Sequence, residues 1–283
     1  MKKIIVSLVV LSSLAISYFS AINNKVEVAA SVKKIIKYAF EVNNTSSNPL
    51  LAQSIEVFAP DEYLYQKLVS IDVNLPYSLV ERDQSTYLKV ELGDLAPFSR
   101  KQITVTATVS MQNNTSSFKI SGGGKKILNS LIDDGNKDLN IISKKLSLEG
   151  KEAFPRQVMS WVAQNMTESN YTKSPKSTGN ILKNPRGDCT EYSFLTTALL
   201  RSRGVDSVLV GGYVVPENSQ LLSARNYHNW SYYQSGSTWH LIDSLYQQHD
   251  AGNQDYIVFT TLKGDGSSYR FHSPNEHIEV RML

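Results

Sequence analysis

Between residues 33 and 111 the chain alternates apolar and polar residues with a period of two, and this leaves it few ways to fold. Ile36, Tyr38, Phe40 and Val42 interleave with Lys37, Ala39 and Glu41. Val69, Ile71, Val73 and Leu75 interleave with Ser70, Asp72 and Asn74. Leu88, Val90 and Leu92 alternate with Lys89 and Glu91, and Ile103, Val105, Ala107 and Val109 with Thr104, Thr106 and Thr108. Successive side chains of a strand point to opposite faces, so each run buries one face and wets the other. Asn43-Asn44, Pro60-Asp61, Pro76 and Gly93-Asp94 separate the runs as turns. The spacing predicts an antiparallel β-sandwich of about seven strands over 31–112. No catalytic grouping lies within it, so its expected role is spacer, docking surface or support.

The pattern changes at residue 113. Residues 113–150 are polar, contain Gly122-Gly123-Gly124, and read as a linker with helix-like stretches at 125–132 and 139–148. From 151 to 283 helical and strand patterns mix. Phe154, Val158, Trp161, Val162 and Met166 recur at helical spacing behind Pro155, which is tolerated near a helix start. A second helix is expected over 189–203, ended by Gly204. Strand-like runs follow at 207–215, 227–233, 238–243, 256–261 and 277–282. A helix packed on an antiparallel sheet gives an α+β domain.

Composition excludes several alternatives. At 41 % hydrophobic and 19 % charged, with a net charge of +3, the chain is too apolar for a disordered one. Lys2, Lys3 and Lys25 against Glu27 supply two of the three net positive charges. No basic stripe remains, so no nucleic-acid partner is expected. Lys2-Lys3, the uncharged apolar run 4–19, and small residues at Ser20-Ala21 and Val28-Ala29-Ala30 have the order of a secretory signal. Residues 1–30 are read as that signal or as an N-terminal anchor. No other membrane contact is expected, and the location is outside the cytoplasm: periplasm, cell surface or medium.

An exported chain usually pairs its cysteines, yet this one has only Cys189. Such a residue is a buried spectator, an intermolecular partner or a reactive thiol. The surrounding Gly187-Asp188-Cys189-Thr190-Glu191 distinguishes among these. Asp188 is a good N-cap residue, and Glu191 stands where it completes a capping box. Cys189 then opens a helix, where free backbone N–H groups and the helix dipole favour an anion, here the nucleophilic thiolate. The same groups suit a developing oxyanion.

A nucleophile of this kind needs a base oriented by a third group. The segments 228–234 and 237–243 flank Ser235-Gly236, a two-residue hairpin loop. That loop sets His228 directly opposite Asp243 on one face, with Trp230 opposite Leu241 and Tyr232 opposite Trp239 as an apolar floor for the helix. His240 points to the other face. His249, His272 and His277 have no acidic partner in a paired strand and are expected on the surface or in loops. No HExxH or CxxC spacing occurs, so neither a metal nor another cofactor is expected.

Taken together, these motifs resemble the transglutaminase-like superfamily. The stretch 187–193 resembles its nucleophile motif, 199–205 and 211–214 its next two elements, and 227–230 and 239–243 its histidine and aspartate motifs. Trp161-Val162 to Asn165-Met166 is similar to the helix before them. The likeness covers about 155–247 and keeps the order Cys, His, Asp. It departs at Ser244, where the family often has Pro, and at Val205-Asp206-Ser207-Val208, which replaces Ile-Pro-x-Arg. The family's side-chain oxyanion donor has no clear counterpart. Tyr171 is a candidate, with a core or surface role as its simpler reading. The resemblance implies a papain-like α+β core behind a β-sandwich module.

The expected chemistry is acyl transfer or hydrolysis through a thioester on Cys189, with His228 moving the proton and Asp243 orienting the imidazole. The expected substrates are proteins or peptides, cell-wall stem peptides among them. The competing reading is an exported binding or scaffold protein in which the triad is idle. Membership of the papain family proper is opposed by Thr190 and Glu191 after the cysteine.

Overall fold

A computed structural model of the chain describes residues 31–82, 85–112, 131–148, 153–171, 174–250, 253–262 and 270–283. The expected signal, 1–30, lies outside the described residues, as do linker residues 113–130 and 149–150 with most of the helix-like stretch 125–132, and residues 151–152 beyond it. No helix among the described residues is long and apolar enough to cross a membrane.

The fold is α+β, with an N-terminal β-rich region followed by a region of helices and an antiparallel sheet. The alternating runs form strands. In β1 (Val32–Asn44), Ile36, Tyr38, Phe40 and Val42 are buried, and the strand pairs antiparallel along its length with β6 (Arg100–Met111). The first sheet has the order β10 (Ser219–Leu221), β1, β6, β3 (Gln66–Val73), with β16 (Ile278–Met282) also on β1. The second sheet runs β15 (Phe271–His272), β2 (Leu50–Phe58), β5 (Ser85–Leu95), β4 (Tyr77–Arg82). The sandwich expected within 31–112 therefore also takes β10, β15 and β16 from the C-terminal half. They cover strand edges that β1 and β2 would otherwise leave open. One alternating position departs from the pattern. The register of β3 on β6 shifts between Leu68 and Ser70, and Val69 is left 50 % exposed at that bulge.

A third sheet has the order β13 (Gln248–His249), β12 (Thr238–Asp243), β11 (Tyr227–Ser235), β9 (Ser207–Val214), β14 (Tyr256–Thr261). Tyr213, Ile257 and Phe259 from this sheet belong to the same apolar cluster as Tyr38, Phe40 and Phe58 of the sandwich. Residues 31–283 accordingly form one compact unit. The helices are α1 (Lys137–Leu148), α2 (Phe154–Asn165), α3 (Thr178–Lys183) and α4 (Cys189–Arg201), with a short parallel pair of β7 (Thr167–Glu168) and β8 (Arg186–Gly187). Residues 190–200 of α4 are all buried, which makes it the central helix, while Gly204 turns the chain away from it with φ +75°. Leu139 of α1 is buried in the same helical cluster, so the end of the expected linker belongs to the core.

The helix does not sit on the face the sequence suggested. Thr197 Oγ1 lies 2.9 Å from Ser231 Oγ, and Thr196 Oγ1 lies 2.6 Å from Ser244 Oγ. Helix α4 thus packs on the Asn229–Ser231–Tyr233 face. The opposite face, with Trp230, Tyr232, Trp239 and Leu241, is filled by Tyr63, Leu64 and Tyr65 from the segment between β2 and β3. Size accounts for the exchange. Small hydroxyl residues let a helix approach a sheet closely, whereas bulky rings leave gaps that large side chains on a loop can fill.

Candidate active site

The site begins with the start of α4. Asp188 caps the helix by accepting from Thr190 N at 2.7 Å, and Glu191 reaches back to accept from Asp188 N at 3.0 Å. The capping box is complete and Cys189 is the first helical residue. Glu191 also accepts from Lys176 N at 3.0 Å, and burial pushes its carboxyl above the ordinary range against the pull of those two N–H groups. Gly187 is required by this fold-back, because a Cβ there would stand 2.3 Å from Glu191 Cβ. The Cys189 thiol is partly exposed.

The hairpin β11–β12 carries the other two groups in a register that differs from the expected one. Ser235 pairs with Thr238 and Tyr232 with Leu241, so the two-residue turn is Gly236-Ser237 rather than Ser235-Gly236. Gly236 has φ +60°, and a glycine takes the first central position of such a turn where serine would be strained. The register moves by two residues. His228 therefore does not face Asp243 directly, but a shift of two preserves parity and keeps both on one face. They meet along the diagonal, where His228 Nε2 donates to Asp243 Oδ2 at 2.6 Å.

Both side chains are buried. Nε2 is engaged by Asp243, which leaves Nδ1 for the thiol, and Cys189 lies within hydrogen-bonding reach of the imidazole. Burial pulls the His228 pKa down, but the bonds to Asp243 and Cys189 and their negative charges outweigh it, and the imidazole is pushed up to about 9. The structure thus brings Cys189, His228 and Asp243 into one constellation.

Three further contacts escaped the sequence reading. Tyr256 Oη on β14 donates to Asp243 Oδ2 at 2.9 Å. Burial and the Asp243 charge hold this phenol far above its usual range, so it remains a donor at every working pH. The N–H groups of Leu245 and Tyr246 donate to Asp243 Oδ1 at 3.0 and 3.2 Å. Asn229 Nδ2 donates to Thr190 Oγ1 at 3.0 Å and ties the residue after the base to the residue after the nucleophile. The Leu245 and Tyr246 bonds lie two and three residues from Asp243, a turn that an aspartate closes locally, whereas those of Tyr256 and Asn229 join separate elements.

Behind the site, β9 presents Gly212 opposite His228. A Cβ there would stand 2.0 Å from the Ile257 carbonyl oxygen, so β14 can close on β9 only because residue 212 is glycine. A cleft of about 590 Å³ is lined by Glu168, Ser169, Asn170, Tyr171 and Arg186. Ser169 N donates to Gly187 O at 2.9 Å, which fixes the cleft beside the start of α4. Tyr171 is 73 % exposed there, not in the core. His240 lies on the opposite face, as expected, and both it and His249, expected at the surface or in a loop, are engaged. His240 Nδ1 donates to Asp250 Oδ2 at 2.6 Å, and His249 Nε2 lies 2.8 Å from Tyr233 Oη. Asp250 escaped notice because it comes from a loop, with φ +57°, rather than from a paired strand.

No curated protein matches the chain. Among solved structures, the fold is similar to that of a candidate cysteine protease from Cytophaga hutchinsonii, with a TM-score of 0.57 and 13 % identity over 90 % of this chain and 91 % of that one. The periplasmic domain of TgpA from Pseudomonas aeruginosa gives a TM-score of 0.33 and 13 % identity over 74 % of this chain and 90 % of that one. Identities this low speak to fold alone, and the second likeness carries no argument. The family model of the transglutaminase-like superfamily matches residues 142–244, a span that runs from α1 to just beyond Asp243 and holds Cys189, His228 and Asp243. Over those residues the chain carries a core of the transglutaminase-like superfamily.

Proposed function

We propose that the protein is a thiol-dependent acyltransferase or amidase acting on protein or peptide amides. The observation that carries this reading is a cysteine at the first position of a capped helix, within reach of a buried imidazole that is itself bonded to a buried carboxylate. The Cys189 sulfur attacks the carbonyl carbon of a carboxamide or peptide bond, while the positive end of the α4 dipole suits the oxyanion. The imidazolium of His228 gives its proton to the departing amine or ammonia as the C–N bond breaks, leaving a thioester. Water or a second amine then adds to the thioester, His228 takes up its proton, and the thiolate departs. Asp243 holds the imidazole's tautomer throughout, as in other triads. Water as acceptor makes the protein an amidase or protease; an amine makes it a crosslinker. Action outside the cytoplasm is part of the proposal and is supported by the N-terminal pattern of residues 1–30.

The test is a panel of glutamine-containing and cell-wall-type peptides, with and without an added primary amine. Turnover that disappears in Cys189→Ala and His228→Ala, while both variants stay folded, supports the reading. Turnover that survives in either variant removes that residue from the chemistry. Ammonia with a joined amine identifies transfer, and two peptide fragments identify hydrolysis.

A further inference from the structure

The segment that follows Asp243 is bound to the triad itself. Two of its N–H groups, those of Leu245 and Tyr246, donate to Asp243, the carboxylate that orients His228. Its first residue, Ser244, is anchored on α4 through Thr196, and its far end is held by Asp250, which accepts from His240 Nδ1 and from Leu241 N at 3.1 Å. Gln247 within it adopts φ +53°, a conformation that costs a non-glycine residue energy and persists only where its surroundings impose it. This tethering sets the Tyr246 ring parallel to the His228 imidazole, with centroids 4.2 Å apart and planes 16° apart. The ring is nevertheless 52 % exposed, so burial of apolar surface does not explain why it is held there.

We infer that Tyr246 is a positioning residue: its ring, held by the Asp243-bound loop, covers one face of the His228 imidazole and keeps Nδ1 directed at Cys189. Stacking on an aromatic face favours the cationic imidazolium, as it does other cations. Covering that face also keeps water from the His228–Asp243 bond, which strengthens in a drier setting. The Tyr246 phenol is raised by burial and then by the charges of Asp243 and Cys189, consistent with a ring lying near both of those groups. This inference rests on the triad reading above.

The single cysteine gives a readout that needs no known substrate. With iodoacetamide the thiolate forms a C–S bond as the C–I bond breaks and iodide leaves, so the rate reports the thiol–imidazole pair at Cys189 alone. Rates are measured from pH 5 to 10 on the intact protein, with circular dichroism to verify folding. Tyr246→Ala is expected to slow alkylation at pH 7 about tenfold and to lower the apparent pKa from about 9, while melting within a few degrees of the native protein. Tyr246→Phe, which keeps the stack, should restore the native profile. A Tyr246→Ala profile identical to the native one overturns the inference, as does a Tyr246→Phe profile as poor as that of alanine. His228→Ala serves as reference. If it changes the profile and Tyr246→Ala does not, only the positioning role falls; if it changes nothing, the triad reading falls with it.

Discussion

Asp61 is the most informative residue to perturb where the sandwich meets the sheet that carries His228 and Asp243. Its N–H donates to Val258 O on β14 at 3.0 Å, and its Oδ1 accepts from Thr86 N and Thr86 Oγ1 at 3.0 and 2.7 Å. Its Oδ2 is buried with no hydrogen-bond partner among the described residues. Burial, partly offset by the Thr86 bonds, pushes the carboxyl from 3.8 up to about 7. The folded state therefore holds this proton more tightly than the unfolded state does. Stability is greatest where both states are protonated, falls as pH rises from about 4 to 7, and stays lowered above that. A rise of about three units corresponds to about 4 kcal/mol, at 1.36 kcal/mol per unit. Asp61→Asn keeps the Oδ1 acceptor and removes the charge, but it places an amide where no acceptor waits, at a cost of about 1–3 kcal/mol. The expected gain is about 1–3 kcal/mol at pH 8, or roughly 3–10 °C in melting temperature for a unit of this size. Urea titrations followed by tryptophan fluorescence at pH 5, 6, 7 and 8 give both curves. The variant's stability should be flatter with pH, and the two curves should cross, with the variant less stable than the native protein by about 1–3 kcal/mol near pH 4. Parallel curves, or a variant less stable at pH 8 by as much as at pH 5, would refute the reasoning.

Other predictions concern the triad's supports. Because His228 is raised to about 9, its contribution to stability is complete below about 6.5 and is lost as pH rises through 9. The advantage of the native protein over His228→Gln should shrink by up to about 3 kcal/mol across that window, and an advantage constant with pH contradicts it. Turnover should likewise decline above about pH 9, where the imidazolium that protonates the leaving group disappears. Thr190→Val leaves the Asn229 amide without its buried acceptor and should cost about 1–3 kcal/mol in a urea melt and slow Cys189 alkylation, whereas Thr190→Ser should do neither. Tyr256→Phe removes a donor from Asp243 and should cost about 1.5–3 kcal/mol and reduce turnover; native behaviour in both measurements would exclude Tyr256 as a support.

What the sequence revealed depended on how local each feature is. The Asp188–Glu191 box closes within four residues, so the helix start at Cys189 was readable from spacing alone. The shared face of His228 and Asp243 was readable because parity survives a register error of two, although the register itself depended on where Gly236 places its positive φ. Which face of β11 receives α4 was not readable, since it depends on Tyr63, Leu64 and Tyr65 arriving from a distant segment. Strands β10 and β15 have only three and two residues, too short to signal as strands, and β16 was readable as a strand at 277–282 but nothing local said that it would pair with β1. Tyr256 gave no warning because it comes from another strand, and Tyr246 gave none because its stacking on His228 depends on how β11 and β12 pair.

The most direct measurement is the mass of the Cys189-containing peptide after the protein is mixed with an amide substrate and quenched in acid within its first turnovers. The account predicts an added acyl mass on that peptide, labile to hydroxylamine and absent from Cys189→Ala. Substrate consumed with no acyl ever found on sulfur, and at the same rate without the thiol, would contradict it.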